Sequence, residues 1–168
     1  MEIRVLDHPL HPIVVHFPIA LLFTAVFFEI FGFWARRESY RQFGLWLLIL
    51  GFISGIVASA AGFWGEEAVV AAGVPEKAVD QHETLAVVTL VVFALLLFVR
   101  WRVGDRWSVR NRTAYFILAV VGVLLLGTTG YFGGDLVYRY GAGVQKQATA
   151  STPSPNAAPT TSGHDGRD

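Results

Sequence analysis

The sequence predicts an all-α membrane protein in which four transmembrane helices form an up-down bundle. The first observation is the composition, since 54% of the 168 residues are hydrophobic and only 15% are charged. Soluble domains average about 25% charged residues. The second observation is that the apolar residues fall in four long stretches, 13–34, 44–64, 84–99 and 114–132. The third is that arginines gather in alternate connections between these stretches.

Each apolar stretch is long enough, or nearly so, to cross a membrane as a helix. At a rise of about 1.5 Å per residue, roughly 20 residues span the hydrocarbon core. The stretches are continuously apolar rather than alternating, which excludes the strands of a transmembrane barrel. The first stretch is too long for the apolar part of a signal peptide and lacks a basic segment before it. We therefore expect it to remain as a helix of the mature protein.

The connections between the stretches predict the orientation of the bundle. The first connection, 35–43, carries three arginines and the third, 100–113, carries five, which makes eight of the thirteen basic residues. The second connection, 65–83, carries five acidic residues and one lysine. Cytoplasmic loops of membrane proteins are rich in Lys and Arg. We therefore expect a bacterial inner-membrane protein with both termini outside, in the periplasm or the cell exterior.

The predicted four-helix domain, residues 13–140, is flanked by two outward segments. Residues 1–12 form a short N-terminal arm. Residues 141–168 are rich in Ser, Thr, Pro, Ala and Gly and cannot bury an apolar face, so they predict a disordered tail. The arginines of the third connection suit membrane topology and anionic lipid. We therefore expect a lipid bilayer, and no nucleic acid, as a partner.

The first apolar stretch opens with histidines and prolines, HPLHPIVVHFP at 8–18. Pro12 suits the first position of a helix, where its missing N–H is harmless. Pro18 cannot donate a hydrogen bond to the carbonyl of Val14, so we expect the first turns to bend. This bend is predicted to tip His16 toward the interior of the bundle.

Two histidines are expected at one depth, near the outer edge of the hydrocarbon. His16 lies 20 residues before Arg36, and His82 lies 18 residues before Arg100. These spacings are about 30 Å and about 27 Å of helix. Two imidazoles that face each other across a bundle can be the axial ligands of one haem iron. The chain has no cysteine, which excludes covalent c-type haem and iron–sulfur ligation.

Glycines on the second and fourth helices favour the same interpretation. Gly62 and Gly130 lie at the depth of the two histidines, and Gly134 continues the glycine face of the fourth helix. A porphyrin is a flat plate that needs helices without bulky side chains beside it. We therefore predict that Gly62, Gly130 and Gly134 line the cofactor, with His11 as a gate or a propionate partner. The predicted function is b-type haem binding between the first and third helices, in an electron-transfer or accessory subunit rather than a stand-alone enzyme.

Two alternatives stay open at this point. A cofactor-free structural or assembly subunit could use its small residues for close packing against other helices, as small residues at four-residue spacing usually do. A divalent-metal site is the other alternative, with His16 and His82 as ligands. The histidines available to it at the outer surface are His8, His11, His16 and His82.

Glu29 is an ionisable residue inside the first apolar stretch. Such intramembrane residues are functional hypotheses by default. Glu29 lies seven residues, or about two turns, before Arg36. We interpret it as a carboxylate near the inner interface that reaches Arg36 or Arg37, or that stays protonated, with a proton relay or a quinone contact as the functional alternative.

Four motifs give the chain a resemblance to a known family. They are HPIVVHFPIALL, SAAGFWGE, QHET at the start of the third helix and GGDLVYRYG after the fourth. Over about residues 8–141 the chain resembles the bacterial four-helix membrane proteins of domain of unknown function 2231. The resemblance implies a membrane protein whose function is not established, in a redox setting at the outer face. It implies this because relatives occur fused to, or beside, Rieske-type or c-type cytochrome modules. Since this chain has no such module, we expect a separate cytochrome c or Rieske-type partner.

Overall fold

The structure, a computed structural model, describes residues 10–104 and 106–143, and every regular element in those residues is a helix. The helices are α1 (Leu10–Val14), α2 (His16–Trp34), α3 (Glu38–Ala71), α4 (Glu76–Val103) and α5 (Val109–Tyr140). By length and composition, α2, α3, α4 and α5 can each cross a membrane. The predicted all-α fold with four transmembrane helices is confirmed. His8, the first nine residues of the arm and the tail from residue 144 lie outside the described residues.

The two ends of the bundle differ in chemistry. Helices α2 and α4 run in one direction along the bundle, and α3 and α5 run in the opposite direction. One end holds residues 10–16, 62–82 and 133–143 and is called the histidine end. The other end holds residues 34–41, 100–104 and 106–112 and is called the arginine end. His16 and His82 therefore belong to the histidine end, whereas Glu29 lies on α2 toward the arginine end.

The first predicted helix is divided into α1 and α2 by one residue, Val15. Val15 keeps helical backbone angles, with φ −65° and ψ −28°. Pro18 has no N–H to give to the carbonyl of Val14, so the regular hydrogen-bond ladder is broken at this point. The irregularity expected in the first turns is thus present. It leaves α1 as a separate turn that packs against α3.

Glycines set the close approaches between helices. A Cβ atom at Gly51 of α3 would lie 2.8 Å from Leu22 of α2, and one at Gly122 of α5 would lie 3.3 Å from Phe93 of α4. Leu22 and Phe93 belong to the buried core. Small residues allow helix backbones to approach in membranes, where packing drives association. The close packing proposed for small residues therefore accounts for Gly51.

Large apolar side chains also cover the outside of the bundle. The most exposed of them include Trp34, Trp64, Phe27, Trp101 and Leu124. A helix that is apolar all round is typical of a membrane span, whose outer face meets lipid. The outer surface therefore agrees with the apolar lengths of α2 to α5.

Candidate functional site

Two histidine rings meet at the histidine end. His11 lies on α1 and His82 lies in the first half of α4. Their ring centres are 5.9 Å apart and their planes are nearly perpendicular, at 83°. Both side chains are half-buried. Residues 71 positions apart in the sequence thus form one pair, which is the candidate site.

Backbone carbonyls fix the orientation of both rings. Nδ1 of His11 lies 2.7 Å from the carbonyl oxygen of Ala58 on α3. Nδ1 of His82 lies 3.1 Å from the carbonyl oxygen of Thr129 on α5. A carbonyl oxygen only accepts hydrogen bonds, so this geometry assigns the proton of each ring to Nδ1. In its neutral form each ring then has a free lone pair on Nε2.

A glycine lies against each ring. A Cβ atom at Gly62 of α3 would be 3.1 Å from Nδ1 of His11. A Cβ atom at Gly133 of α5 would be 2.9 Å from Cε1 of His82, which is closer than real Cβ contacts. A side chain at Gly133 would therefore displace the ring of His82, and one at Gly62 would press tightly on the ring of His11. Gly62 was predicted as a site residue, whereas Gly133 was missed.

Gly130 and Gly134, the other two predicted glycines, do not contact the histidine pair. A Cβ atom at Gly130 would meet nothing within 4 Å, and one at Gly134 would meet only the ring of Tyr138, at 4.0 Å. The sequence signal for Gly133 was its place in the GGDLVYRYG motif, whereas its contact with His82 depends on the rotation of α5. The predicted place of Gly130 and Gly134 beside a porphyrin stays a prediction.

His16 is not the partner of His82. Its ring is exposed, and its Nδ1 lies 3.0 Å from the carbonyl oxygen of Pro12, in the preceding turn. The expected facing of His16 and His82 is therefore corrected to a pairing of His11 and His82. Five residues along a helix turn the side-chain direction by about 140°. Because His11 points at α3 and His82, the following histidine points away from them.

Hydroxyl groups tie α4 to α5 next to the pair. Oγ1 of Thr89 lies 2.9 Å from Oγ1 of Thr129. Each hydroxyl also lies within hydrogen-bond distance of a carbonyl one turn back in its own helix, at 2.7 Å for Thr89 and 2.8 Å for Thr129. Thr89 is buried. The position of His82 over Thr129 is thus supported by a second polar contact between the same two helices.

The described residues contain no group of three or more His, Asp or Glu side chains placed to hold a metal ion. The divalent site considered from the sequence drew on four histidines. Of these, His8 lies outside the described residues, and His16 turns away from the pair. Two imidazoles, those of His11 and His82, are what the described part of the chain brings together.

Acidic side chains surround this end of the bundle. Glu66 and Glu67 lie in the last two turns of α3, and Asp80 and Glu83 flank His82 on α4. Two of these positions, Glu66 and Glu83, are half-buried. The pair thus lies at an end whose described surface is negatively charged.

The sequence interpretation had Glu29 reach Arg36 or Arg37, and the structure corrects this. Oε1 of Glu29 lies 3.3 Å from Nε of Arg100 on α4, and both side chains are buried. Arg36 follows the end of α2 with a positive φ of 53°, and Arg37 precedes α3 in an extended conformation. The partner of Glu29 therefore comes from a neighbouring helix rather than from the adjacent connection.

Comparison with known proteins gives one match. A family model described as "Predicted membrane protein (DUF2231)" matches residues 7–146. No curated protein and no solved structure matches the chain. The match includes the whole histidine pair, its two carbonyl acceptors and both glycines.

Proposed function

Since the chain belongs to the DUF2231 family of predicted membrane proteins, and that description assigns no chemistry, we propose a function from the histidine pair. The protein binds one b-type haem through His11 and His82 and passes electrons at the histidine end of the bundle. The observation that carries the proposal is the pairing of the two rings, with each Nδ1 held by a backbone carbonyl.

The number of ligands favours haem over a bare metal ion. Structural zinc takes four protein ligands, and catalytic zinc takes three. The described residues offer two imidazoles and no larger group. A haem iron already has four porphyrin nitrogens, so two imidazoles complete its axial coordination. The pair of histidines in the described residues therefore matches the axial coordination of haem more closely than the ligand set of zinc.

The surroundings of the rings support the same proposal. Histidines that bind metals usually give their other ring N–H to a carbonyl or carboxylate, which fixes the tautomer and aims the free nitrogen. His11 and His82 both have this arrangement. Two metal–nitrogen bonds of about 2 Å, with the ring half-widths added, place the centres of two axial imidazoles about 6 Å apart. The ring centres of His11 and His82 lie 5.9 Å apart, so the proposal requires that both Nε2 atoms turn toward one iron between them.

The surface around the pair supports an electron-transfer role with a basic partner. Carboxylates such as Asp80 and Glu83 attract a positively charged protein and steer its approach. The arginine-rich connections, which favour the cytoplasm, are at the other end of the bundle. The proposal therefore places the haem near the outer face of a bacterial inner membrane, where a separate c-type cytochrome or Rieske-type protein exchanges electrons with it.

A second candidate, a cofactor-free structural subunit, is favoured by one specific observation. The ring of His11 ties α1 to α3, and the ring of His82 ties α4 to α5. Each ring could thus act only as a hydrogen-bonding clamp between two helices. The histidines would then stabilise the bundle and bind nothing.

An absorbance measurement on the full chain distinguishes the two candidates. The protein is expressed with ample haem supply and purified in detergent, and the dithionite-reduced minus oxidised spectrum and the haem content are measured. The haem proposal expects a sharp α-band, a shifted Soret band and about one haem b per chain. A flat spectrum from folded protein at high concentration overturns it in favour of the structural subunit.

A further inference from the structure

The arginine end contains a buried cluster of charged and polar side chains that the proposed function does not use. Glu29 of α2 is 1% exposed and Arg100 of α4 is 4% exposed. Arg41 of α3 is also largely buried, and Trp107 precedes α5. Charged residues inside a membrane protein are costly and mark functional positions by default. We therefore expect the cluster to have a role separate from that of the histidine pair.

Four buried atoms of this cluster have no hydrogen-bond partner among the described residues. They are Oε2 of Glu29, Nε and Nη2 of Arg41, and Nε1 of Trp107. Buried polar groups in proteins are nearly always paired with protein atoms or with ordered water. Three side chains from three separate elements thus present one acceptor and three donors that call for a small polar ligand.

The contacts place these side chains in one cluster. The guanidinium carbon of Arg41 lies 5.5 Å from the centre of the Trp107 ring, and that of Arg100 lies 5.7 Å from the same centre. Arg100 in turn holds Oε1 of Glu29 at 3.3 Å. Both guanidinium groups therefore lie near the indole of Trp107, and that of Arg100 also contacts the carboxylate of Glu29.

The donors and the acceptor suit water. Nη1 of Arg41 already binds Glu38, at 2.6 Å, so the free edge of its guanidinium carries Nε and Nη2. A water oxygen accepts hydrogen bonds from such donors and from an indole N–H, and its own O–H donates to a carboxylate oxygen. Buried waters typically make about three such bonds to otherwise unpaired groups. An anion suits the cluster less well, because Glu29 is beside it.

We propose that Glu29, Arg41 and Trp107 form a hydrated proton-binding site, in which Oε2 of Glu29 takes up and releases a proton. The proton forms an O–H bond with Oε2, so that oxygen becomes a donor to the bound water. Water then carries the proton between Oε2 and the solution at the arginine end. The site lies at the opposite end from the histidine pair and does not depend on haem.

Charges from every packed element face Glu29. Helix α3 supplies Arg41 and Glu38, and α4 supplies Arg100. Tyr115 of α5 is buried and packs against Trp107, with 5.2 Å between ring centres. With Glu29 ionised, the two glutamates balance the two arginines. One proton on Glu29 then leaves a single positive charge beside the solvent-facing Glu38.

The side chain of Glu38 lies between the cluster and the solvent. The side chain of Glu38 is 55% exposed, and its two oxygens lie 2.6 Å from Nη1 of Arg41 and 3.7 Å from Nη2 of Arg100. Both arginines of the cluster thus touch a residue that water reaches. Water that contacts Glu38 therefore lies beside both arginines of the cluster, and water, not the guanidinium groups, carries the proton.

Infrared difference spectra between low and high pH test the proposal on the full chain in detergent. We expect a carboxylic-acid C=O band that shifts in D2O, because the proton exchanges with solvent, and that disappears in Glu29→Gln. The matched control, Glu67→Gln, changes an exposed glutamate at the histidine end and keeps the band. The proposal is overturned if no band depends on Glu29 across the pH range in which circular dichroism shows folded protein, since Glu29 then neither takes up nor releases a proton.

If Glu29→Gln fails to fold, isotope labelling and a second pair of variants test the proposal instead. In protein labelled with carboxyl-¹³C glutamate, the band must shift with the label, which separates glutamate from aspartate. Trp107→Phe removes the indole N–H of the site and must move the band. Trp101→Phe changes an indole that is 76% exposed and must leave it in place. A C=O band that keeps its position in Trp107→Phe contradicts the proposed site.

Discussion

The imidazole rings of His11 and His82 meet at the histidine end with 5.9 Å between their centres, although they come from opposite halves of the domain. Each ring is held by a backbone carbonyl of a further helix, His11 by Ala58 of α3 and His82 by Thr129 of α5. Four of the five helices therefore contribute to one small site. This relationship underlies the proposed function and two of the predictions below.

Alanine at Gly133 is expected to displace His82, because the new Cβ atom would lie 2.9 Å from the ring. Overpacking of this kind costs about 1–3 kcal/mol. The predicted result is a lower melting temperature in detergent and, where haem is bound, a changed Soret band. Gly127→Ala on the same helix is the control, since its Cβ atom would meet nothing within 4 Å. Equal melting temperatures for the two variants would show that Gly133 does not confine the ring.

Removal of one partner of the buried Glu29–Arg100 pair is expected to be costly. Arg100→Met leaves the carboxylate buried without its partner, a loss of about 3–5 kcal/mol in folding free energy. The double variant Glu29→Leu/Arg100→Met removes both charges and is expected to recover much of this loss. Thermal unfolding in detergent measures both variants. The expectation fails if the double variant is less stable than Arg100→Met alone.

An exposed ion pair provides the contrast. Asp135 and Arg139 lie one turn apart on α5, with 2.7 Å between Oδ1 and Nε, and Arg139 is largely exposed. Exposed pairs contribute only about 0–1 kcal/mol. Arg139→Ala is therefore expected to leave the melting temperature almost unchanged in the same assay.

The orientation is open to a labelling test because the chain has no native cysteine. Ser39→Cys lies at the arginine end and Ala72→Cys at the histidine end, and both positions are exposed. The arginine-rich connections favour the cytoplasmic side. We expect an impermeant thiol reagent to label the Ala72→Cys variant in intact spheroplasts and the Ser39→Cys variant only after the membrane is broken. The reverse pattern would place the histidine pair on the cytoplasmic side.

The fold was predictable from the sequence because its signal is simple. Four apolar stretches of membrane-spanning length leave a helical bundle as the consistent solution. Pro18 also predicted an irregular first turn, and the break at Val15 follows from the missing N–H of Pro18. Depth along a helix follows from residue count alone, and it pointed to Gly62, which lies against the ring of His11.

Helix rotation was not predictable, and this accounts for the errors at the site. Helices that are apolar nearly all round carry no stripe to show which face points inward. Depth alone made His16 the counterpart of His82, whereas contacts with α3 turn His11 inward. The pairing of Glu29 with Arg100 was missed for a similar reason, since it depends on which face of α4 points toward Glu29.

The most direct test of the central claim compares three variants, His11→Ala, His82→Ala and His16→Ala, by reduced minus oxidised absorbance at equal protein concentration. If the two rings that meet in the structure are the axial ligands, His11→Ala and His82→Ala lose the sharp α-band of low-spin haem. His16→Ala keeps it, because that ring points away from the pair. Loss of the band in His16→Ala, with retention in His11→Ala, would contradict the account.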